Sequence, residues 1–143
     1  VKEGNTRQGF RTCGSWFGWI HLKRRAGLTM LEFSERPWGS YQVLHTNAFS
    51  QVKEITVKAG SRLSYQTHEK RAEHWFITQG PAVVTIDGVT RTLQTGESVD
   101  IAIGVAHRMA APESNGVTFI EVQSGSYFGE DDIVRLEDDF GRS

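Results

Sequence analysis

The sequence predicts an all-β domain, either a sandwich or a small barrel of short strands. Three observations favour this class. From residue 30 onward, alternating or β-rich runs recur about every 8–12 residues and are separated by turn-forming residues. The dipeptide Asp87-Gly88 stands between two such runs and is a strong signal for a two-residue hairpin. No helical period of 3.6 residues runs through this part of the chain.

The predicted strands follow one another along the chain and end at turn residues such as Gly60, Gly80 and Gly96. The predicted strands comprise residues 51–58, 74–78, 82–86, 90–93, 98–103 and 116–123. The strand over residues 51–58 alternates, with Lys53 and Val57 on one face. The end of the chain, residues 129–140, is the one segment where we expect a short helix. Its cap would be Asp131 or Asp132, and its apolar residues would be Ile133, Val134 and Leu136.

Length and composition exclude several classes of protein. The chain has 143 residues, which is the length of one domain, and a formal net charge of −1, which argues against a dedicated nucleic-acid binder. No window of about 18 apolar residues predicts a membrane span. The single cysteine, Cys13, excludes an internal disulfide and a cysteine-cluster metal site, and it fits a reducing, cytoplasmic setting.

Charge divides the chain near residue 30. Residues 1–29 contain six basic side chains and one acidic side chain, whereas residues 30–143 contain ten basic and sixteen acidic ones. We therefore expect an N-terminal extension over residues 1–29 and a single domain over residues 30–143. The extension could be a disordered basic arm, a partner-binding arm, or sequence upstream of a true start at Met30.

Two spaced patterns carry the candidate chemistry. They are Gly60-x5-Gln66-x-His68-x4-Glu73-x6-Gly80 and Gly96-x7-Gly104-x2-His107-x3-Ala111. Gln66 and His68 are two residues apart, so on a strand both side chains point to the same face. Glu73 would begin the neighbouring strand, and His107 would come from a later one. Together these four side chains could converge on one divalent cation, and such a ligand set suits zinc, manganese, cobalt or iron.

This combined spacing resembles the two motifs of the cupin superfamily, although Gln66, Ala102 and Ala111 stand where those motifs have His, Pro and Asn. The sequence is more closely similar to the C-terminal cupin domain of type II mannose-6-phosphate isomerases, enzymes that are often fused to a GDP-mannose pyrophosphorylase. This similarity extends over nearly all of residues 33–142. Its most specific segments are Arg36-Pro37-Trp38-Gly39-Ser40-Tyr41, Arg71-Ala72-Glu73-His74-Trp75, Ile103-Gly104-Val105-Ala106-His107-Arg108 and the long run 120–135.

The resemblance implies a fold and a function. The fold would be a cupin-type double-stranded β-helix, a jelly-roll barrel, with a short C-terminal helix or tail, and the protein would form a homodimer. The function would be metal-dependent isomerisation of mannose 6-phosphate and fructose 6-phosphate in polysaccharide biosynthesis. The Gly-rich nucleotide-binding start of the pyrophosphorylase is absent from these residues, so we expect no nucleotidyltransferase domain. Two alternatives stay open: a non-catalytic sugar-binding or regulatory cupin, and a different metal-dependent cupin enzyme.

The resemblance also implies roles for individual residues. One divalent metal, zinc in the first place, would be bound by Gln66, His68, Glu73 and His107. Such an isomerase also needs a cationic pocket for the phosphate and a base that moves a proton between two carbons.

For the phosphate we expect Arg71, at the rim of the site, together with Arg135 and Arg142 in the tail. Arg135 could instead form salt bridges with neighbouring carboxylates. The candidate bases are His74, Glu121 and Lys53. Strand alternation predicts that His74 faces away from the metal.

Overall fold

Short strands make up most of the part of the chain that the computed structural model describes, residues 32–142. The predicted extension, residues 1–29, lies outside the described residues. Within that part there are eleven strands: β1 Phe33–Arg36, β2 Gly39–Thr46, β3 Ser50–Val57, β4 Tyr65–His68, β5 Arg71–Gln79, β6 Ala82–Ile86, β7 Val89–Leu93, β8 Ser98–Ile101, β9 His107–Ala110, β10 Val117–Gly125 and β11 Ile133–Glu137. The all-β prediction is confirmed.

The strands form two antiparallel sheets. The six-stranded sheet has the order β1-β2-β3-β10-β5-β8, and the five-stranded sheet has the order β11-β4-β9-β6-β7. Strands that are far apart in sequence are neighbours in space, as β3 and β10 are, which is the crossing-over expected of a jelly roll. Within residues 32–142, no helix has the length and apolar character of a membrane span.

The predicted hairpin is present between β6 and β7. Asp87 and Gly88 both have positive φ, 48° and 76°, as a type I′ turn requires. The C-terminal segment differs from the expected helix, because only Glu130–Asp132 forms a single 3-10 turn. Residues Ile133–Glu137 are extended and pair with β4, so the apolar residues predicted for the helix lie on a strand.

The interior changes from apolar to polar along the six-stranded sheet. In the register of β5 with β10, Ile77 lies opposite Phe119, Trp75 opposite Glu121, and Glu73 opposite Gln123. All six side chains are buried. The apolar pairs build the core at one end, and the polar pairs build a buried polar region at the other end. Polar side chains that are buried together must satisfy one another's hydrogen bonds or bind a ligand. This polar end contains the predicted ligand Glu73 and is therefore the candidate site.

Candidate metal centre

Three of the four predicted ligands come from three different strands. His68 ends β4, Glu73 lies in β5, and His107 begins β9. The backbone joins the two motifs directly, because the N–H of Gly104 donates to the carbonyl oxygen of His68 over 2.8 Å. Gly104 has a positive φ of 80°, a conformation that favours glycine. This contact brings the loop before His107 against the end of β4.

The donor atoms of these three residues converge. The Nε2 atom of His68 lies 3.1 Å from one carboxylate oxygen of Glu73, and the Nε2 atom of His107 lies 3.5 Å from the other. One potential ligand atom from each residue falls within 4.8 Å of the others. All three side chains are buried. Two imidazoles and a carboxylate are the donor set of many zinc sites.

The other nitrogen of each imidazole contacts a backbone carbonyl. The Nδ1 atom of His68 lies 3.3 Å from the oxygen of Asp132, and that of His107 lies 2.9 Å from the oxygen of Val105. A carbonyl only accepts, so each Nδ1 carries the proton. This arrangement is the usual support of a metal-binding histidine, because it directs the lone pair of Nε2 toward the ion.

His107 supplies a direct test of whether a cation fits here. Burial lowers the pKa of His107, and the opposing charge of Glu73 does not reverse this, so the ring is neutral. Its Nε2 atom is buried and has no hydrogen-bond partner. A lone pair that faces a carboxylate without a proton between them is an unfavourable arrangement, which a divalent cation would relieve. The residues present therefore fit a metal ion.

Glu73 is ionised and held by several donors. Burial by itself would raise its pKa, but the contact with His68 and the positive charge of Arg71 bring the pKa well below its ordinary value. Arg71 and Gln123 each donate to one carboxylate oxygen over 3.3 Å. The indole N–H of Trp75 donates to the other oxygen over 3.1 Å. This support fixes the carboxylate in the orientation that a ligand needs.

The fourth predicted ligand, Gln66, is adjacent but turned. Its Cα is paired with that of His107 across β4 and β9. Its amide nitrogen lies 3.4 Å from Nε2 of His68, and its amide oxygen accepts a hydrogen bond from Ser64 over 2.6 Å. Rotation of the amide by about 180° would turn the oxygen, the atom that binds cations, toward the cluster.

A second buried carboxylate lies beside the cluster. Glu121 accepts hydrogen bonds from Trp75 over 3.1 Å and from Gln123 over 2.7 Å. Burial, followed by the charge of Glu73, raises the pKa of Glu121 to about 8. The sequence analysis did not identify Gln123. The alternation of β10 could have found it, because Gln123 shares the face of Glu121.

A cavity lies beside the cluster, with Gln66 and Glu73 in its wall. Five cationic side chains and three carboxylates are among its lining residues: Arg36, Lys53, Arg71, Arg135, Arg142, Glu73, Glu121 and Glu130. The aromatic side chains of Trp38 and Tyr41 form part of the cavity wall. The excess of cations favours an anionic ligand.

The three predicted phosphate-binding arginines all line this cavity but differ in position. Arg71 is buried instead of lying at the rim, and its guanidinium donates to Glu73 and, over 2.9 Å, to the carbonyl oxygen of Gly129. Its place follows from β5 beginning at Arg71, two residues before Glu73 and therefore on the same face. Arg142 is paired with Asp138.

The candidate bases lie on opposite sides of the sheet. Lys53 and Glu121 are buried and line the cavity. His74 points to the outer face, where its Nδ1 lies 2.7 Å from the carboxylate of Asp100. His74 therefore cannot reach a ligand in the cavity, and its selection as a candidate base was wrong. The alternation that turns Glu73 inward turns His74 outward.

Comparisons with known proteins give the family. A family model described as "Mannose-6-phosphate isomerase C-terminal" matches residues 24–138. The chain is 53% identical over 108 residues to the alginate biosynthesis protein AlgA of Pseudomonas aeruginosa, covering 76% of this chain and 22% of AlgA. It is 48% identical over 107 residues to a mannose-1-phosphate guanylyltransferase of Escherichia coli, covering 75% of this chain and 22% of the relative.

Solved structures agree with this fold. An RmlC-like cupin from Shewanella frigidimarina superposes with a TM-score of 0.62 at 22% identity, covering 76% of this chain and 95% of the cupin. The predicted cupin-type double-stranded β-helix is therefore confirmed.

The comparisons also correct the predicted function. We expected the chain to be a mannose-6-phosphate isomerase by itself, and this expectation was wrong. The chain spans about a fifth of the length of these curated relatives, and the names of those relatives describe alginate biosynthesis and guanylyl transfer. The resemblance had assigned the activity of a whole enzyme to a stretch that matches a C-terminal domain.

Proposed function

Since the chain belongs to the family of mannose-6-phosphate isomerase C-terminal domains, we propose that it binds a divalent cation and, beside it, a phosphorylated sugar. In this proposal the chain acts as a domain of a longer enzyme of polysaccharide-precursor synthesis. The name of the alginate biosynthesis relative supports that setting.

One observation carries the metal part of the proposal. The lone pair of a neutral, buried imidazole, on His107, faces the ionised carboxylate of Glu73 without a hydrogen bond between them. Zinc is the first choice for a set of two imidazoles and a carboxylate, and manganese, cobalt and iron are the alternatives. The ion would be held by His68, Glu73 and His107, and by Gln66 once its amide has rotated.

The cavity supports a phosphosugar as the ligand. Aromatic side chains such as Trp38 offer an apolar wall, and the cationic side chains offer partners for a phosphoryl group. A bound divalent cation would supply Lewis-acid polarisation of the sugar oxygens. The hydrogen bonds from Trp75 to Glu73 and from Gln123 to Glu121 hold the two buried carboxylates in place beside the cavity.

A two-stage titration tests the proposal. The protein is first treated with a chelator and then titrated calorimetrically with zinc, for which we expect one ion per chain. Mannose 6-phosphate is then titrated into the zinc-loaded and the metal-free protein. We expect binding that is at least about tenfold tighter with zinc, because the ion adds a direct ligand for the sugar. Absence of zinc binding, or equal sugar affinity in both forms, would refute the proposal.

The homodimer that the resemblance implies stays a prediction. Analytical ultracentrifugation of the same zinc-loaded sample would test it.

A further inference from the structure

A carboxylate lies between two cations in the wall of the cavity. One oxygen of Glu130 is 3.2 Å from Nζ of Lys53, and its other oxygen is 4.0 Å from Nη2 of Arg36. All three side chains line the cavity. The two cations thus contact separate oxygens of one anionic group.

The two cations are held by the sheet. Lys53 lies in β3 with its side chain only 7% exposed, and its Nζ lies 4.7 Å from the ring centre of Tyr41. Arg36 ends β1, and its guanidinium lies 3.4 Å from the hydroxyl of the same tyrosine. Tyr41 is itself buried and pairs with Ile55 across β2 and β3. Tyr41 therefore gives each cation a contact that does not depend on Glu130.

The carboxylate of Glu130 is held much less firmly. Its side chain is 44% exposed and lies at the start of the 3-10 turn. The turn is anchored by the next two residues, since Asp131 accepts a hydrogen bond from Tyr127 and Asp132 accepts two from the backbone of residues 69–70. Rotation about the side-chain bonds of Glu130 would withdraw its carboxylate and leave those anchors intact.

We propose that Lys53 and Arg36 form the subsite for the phosphoryl group of the sugar, and that the carboxylate of Glu130 occupies this subsite until the phosphosugar displaces it. The inference rests on the proposed function. A phosphomonoester carries about 1.5 to 2 negative charges and three acceptor oxygens, against one charge and two oxygens on a carboxylate. A partly exposed ion pair contributes little, so the exchange favours the phosphoryl group.

The assignment differs from the one that the sequence suggested. Arg71 donates to Glu73 and to the carbonyl of Gly129, and Arg142 is paired with Asp138. Lys53 was chosen as a candidate base, but a buried ammonium in contact with a displaceable carboxylate is better suited to hold an anion.

The first experiment removes the competing carboxylate. Mannose 6-phosphate is titrated into zinc-loaded wild type and Glu130→Gln, and unphosphorylated mannose is titrated in parallel. We expect Glu130→Gln to bind the phosphosugar about fivefold more tightly, because the subsite no longer has an internal occupant. Mannose affinity should stay unchanged. The matched control is Glu113→Gln, which makes the same charge change at an exposed turn residue outside the cavity lining and should leave both affinities unchanged.

The second experiment removes the cations. Arg36→Gln should weaken mannose 6-phosphate binding about tenfold and leave the zinc titration unchanged, since Arg36 is partly exposed and its contacts are with Tyr41 and Glu130. Lys53→Met should act in the same direction. Arg36→Gln is the decisive variant if the buried Lys53→Met protein fails to fold.

The outcomes separate the two proposals. If zinc-loaded wild type does not bind mannose 6-phosphate, the proposed function fails and this inference fails with it. If wild type binds but Glu130→Gln is no tighter, or Glu113→Gln gains as much, only the displaced-carboxylate inference is overturned. Wild-type phosphosugar affinity in Arg36→Gln would likewise overturn the subsite.

Discussion

Substitution of His107 gives the sharpest test of the metal centre. An ion that binds only the folded protein raises the free energy of unfolding by about 2.7 kcal/mol when it is present at about 100 times its dissociation constant. The entropy of unfolding is about 2.1 cal/mol/K for each residue. For a chain of 143 residues, zinc should therefore raise the melting temperature of the wild type by about 9 °C.

His107→Ala should abolish this zinc-dependent shift. It removes the donor whose Nε2 lacks a partner, and it leaves two of the three convergent ligands. It also empties space beside Trp75 and His68, whose rings lie 5.4 and 4.9 Å from that of His107. The variant will therefore melt lower even without metal. The informative quantity is the difference between melts with zinc and with chelator, measured for each variant by differential scanning calorimetry.

The matched control is His74→Ala. His74 lies in β5 next to Glu73, but on the outer face with Asp100 as its partner. The control variant should keep the full shift of about 9 °C. A zinc shift that survives His107→Ala would show that the cluster is not the metal site. A shift lost in His74→Ala would show that the faces of β5 are assigned wrongly.

Two further predictions concern the stability of the site and of the tail. Trp75→Phe should lower the free energy of unfolding by about 1–3 kcal/mol in urea titrations, because it removes the N–H shared by the carboxylates of Glu73 and Glu121. A value equal to wild type would contradict this role of the indole. Asp138→Asn should be less stable than wild type at pH 6, because the hydrogen bond from Arg142 lowers the pKa of Asp138 from 3.8 to about 2. A lowered folded-state pKa gives stability that is present above pH 3.8 and lost as the pH falls through 2, so the difference between the two melting temperatures should shrink over that interval.

Local patterns in the sequence predicted the parts of the site that depend on one strand. Alternation along β5 correctly placed Glu73 inside and His74 outside, and the two-residue spacing of Gln66 and His68 correctly placed their side chains side by side. The Asp87-Gly88 hairpin was likewise predicted from two residues. In each case the chemistry of adjacent residues determines the geometry.

Features that depend on pairing between distant segments were not predictable in this way. Residues 133–137 are too few to distinguish a helical period from an alternating one, and their strand forms because β4 offers a partner edge. Lys53 and Glu130 are 77 residues apart, and no local pattern indicates their contact. The rim position expected for Arg71 was wrong because β5 begins at Arg71, two residues before Glu73, where the sequence suggested the start of the strand.

The 3-10 turn after Gly129 supports the candidate metal centre, although the sequence suggested a short helix in this segment. The carbonyl oxygen of Asp132 faces Nδ1 of His68, and the carboxylate of Asp132 accepts from the backbone N–H groups of Glu69 and Lys70. The carbonyl oxygen of Gly129 accepts from Arg71, which in turn donates to the carboxylate ligand. These contacts hold the turn against β4 and β5, the strands that carry His68 and Glu73. Within residues 32–142, the turn supplies the only backbone acceptor that we find for the His68 ring. The same short turn carries Glu130, so one element both supports the candidate ligand set and presents the carboxylate that, in our proposal, a phosphoryl anion replaces.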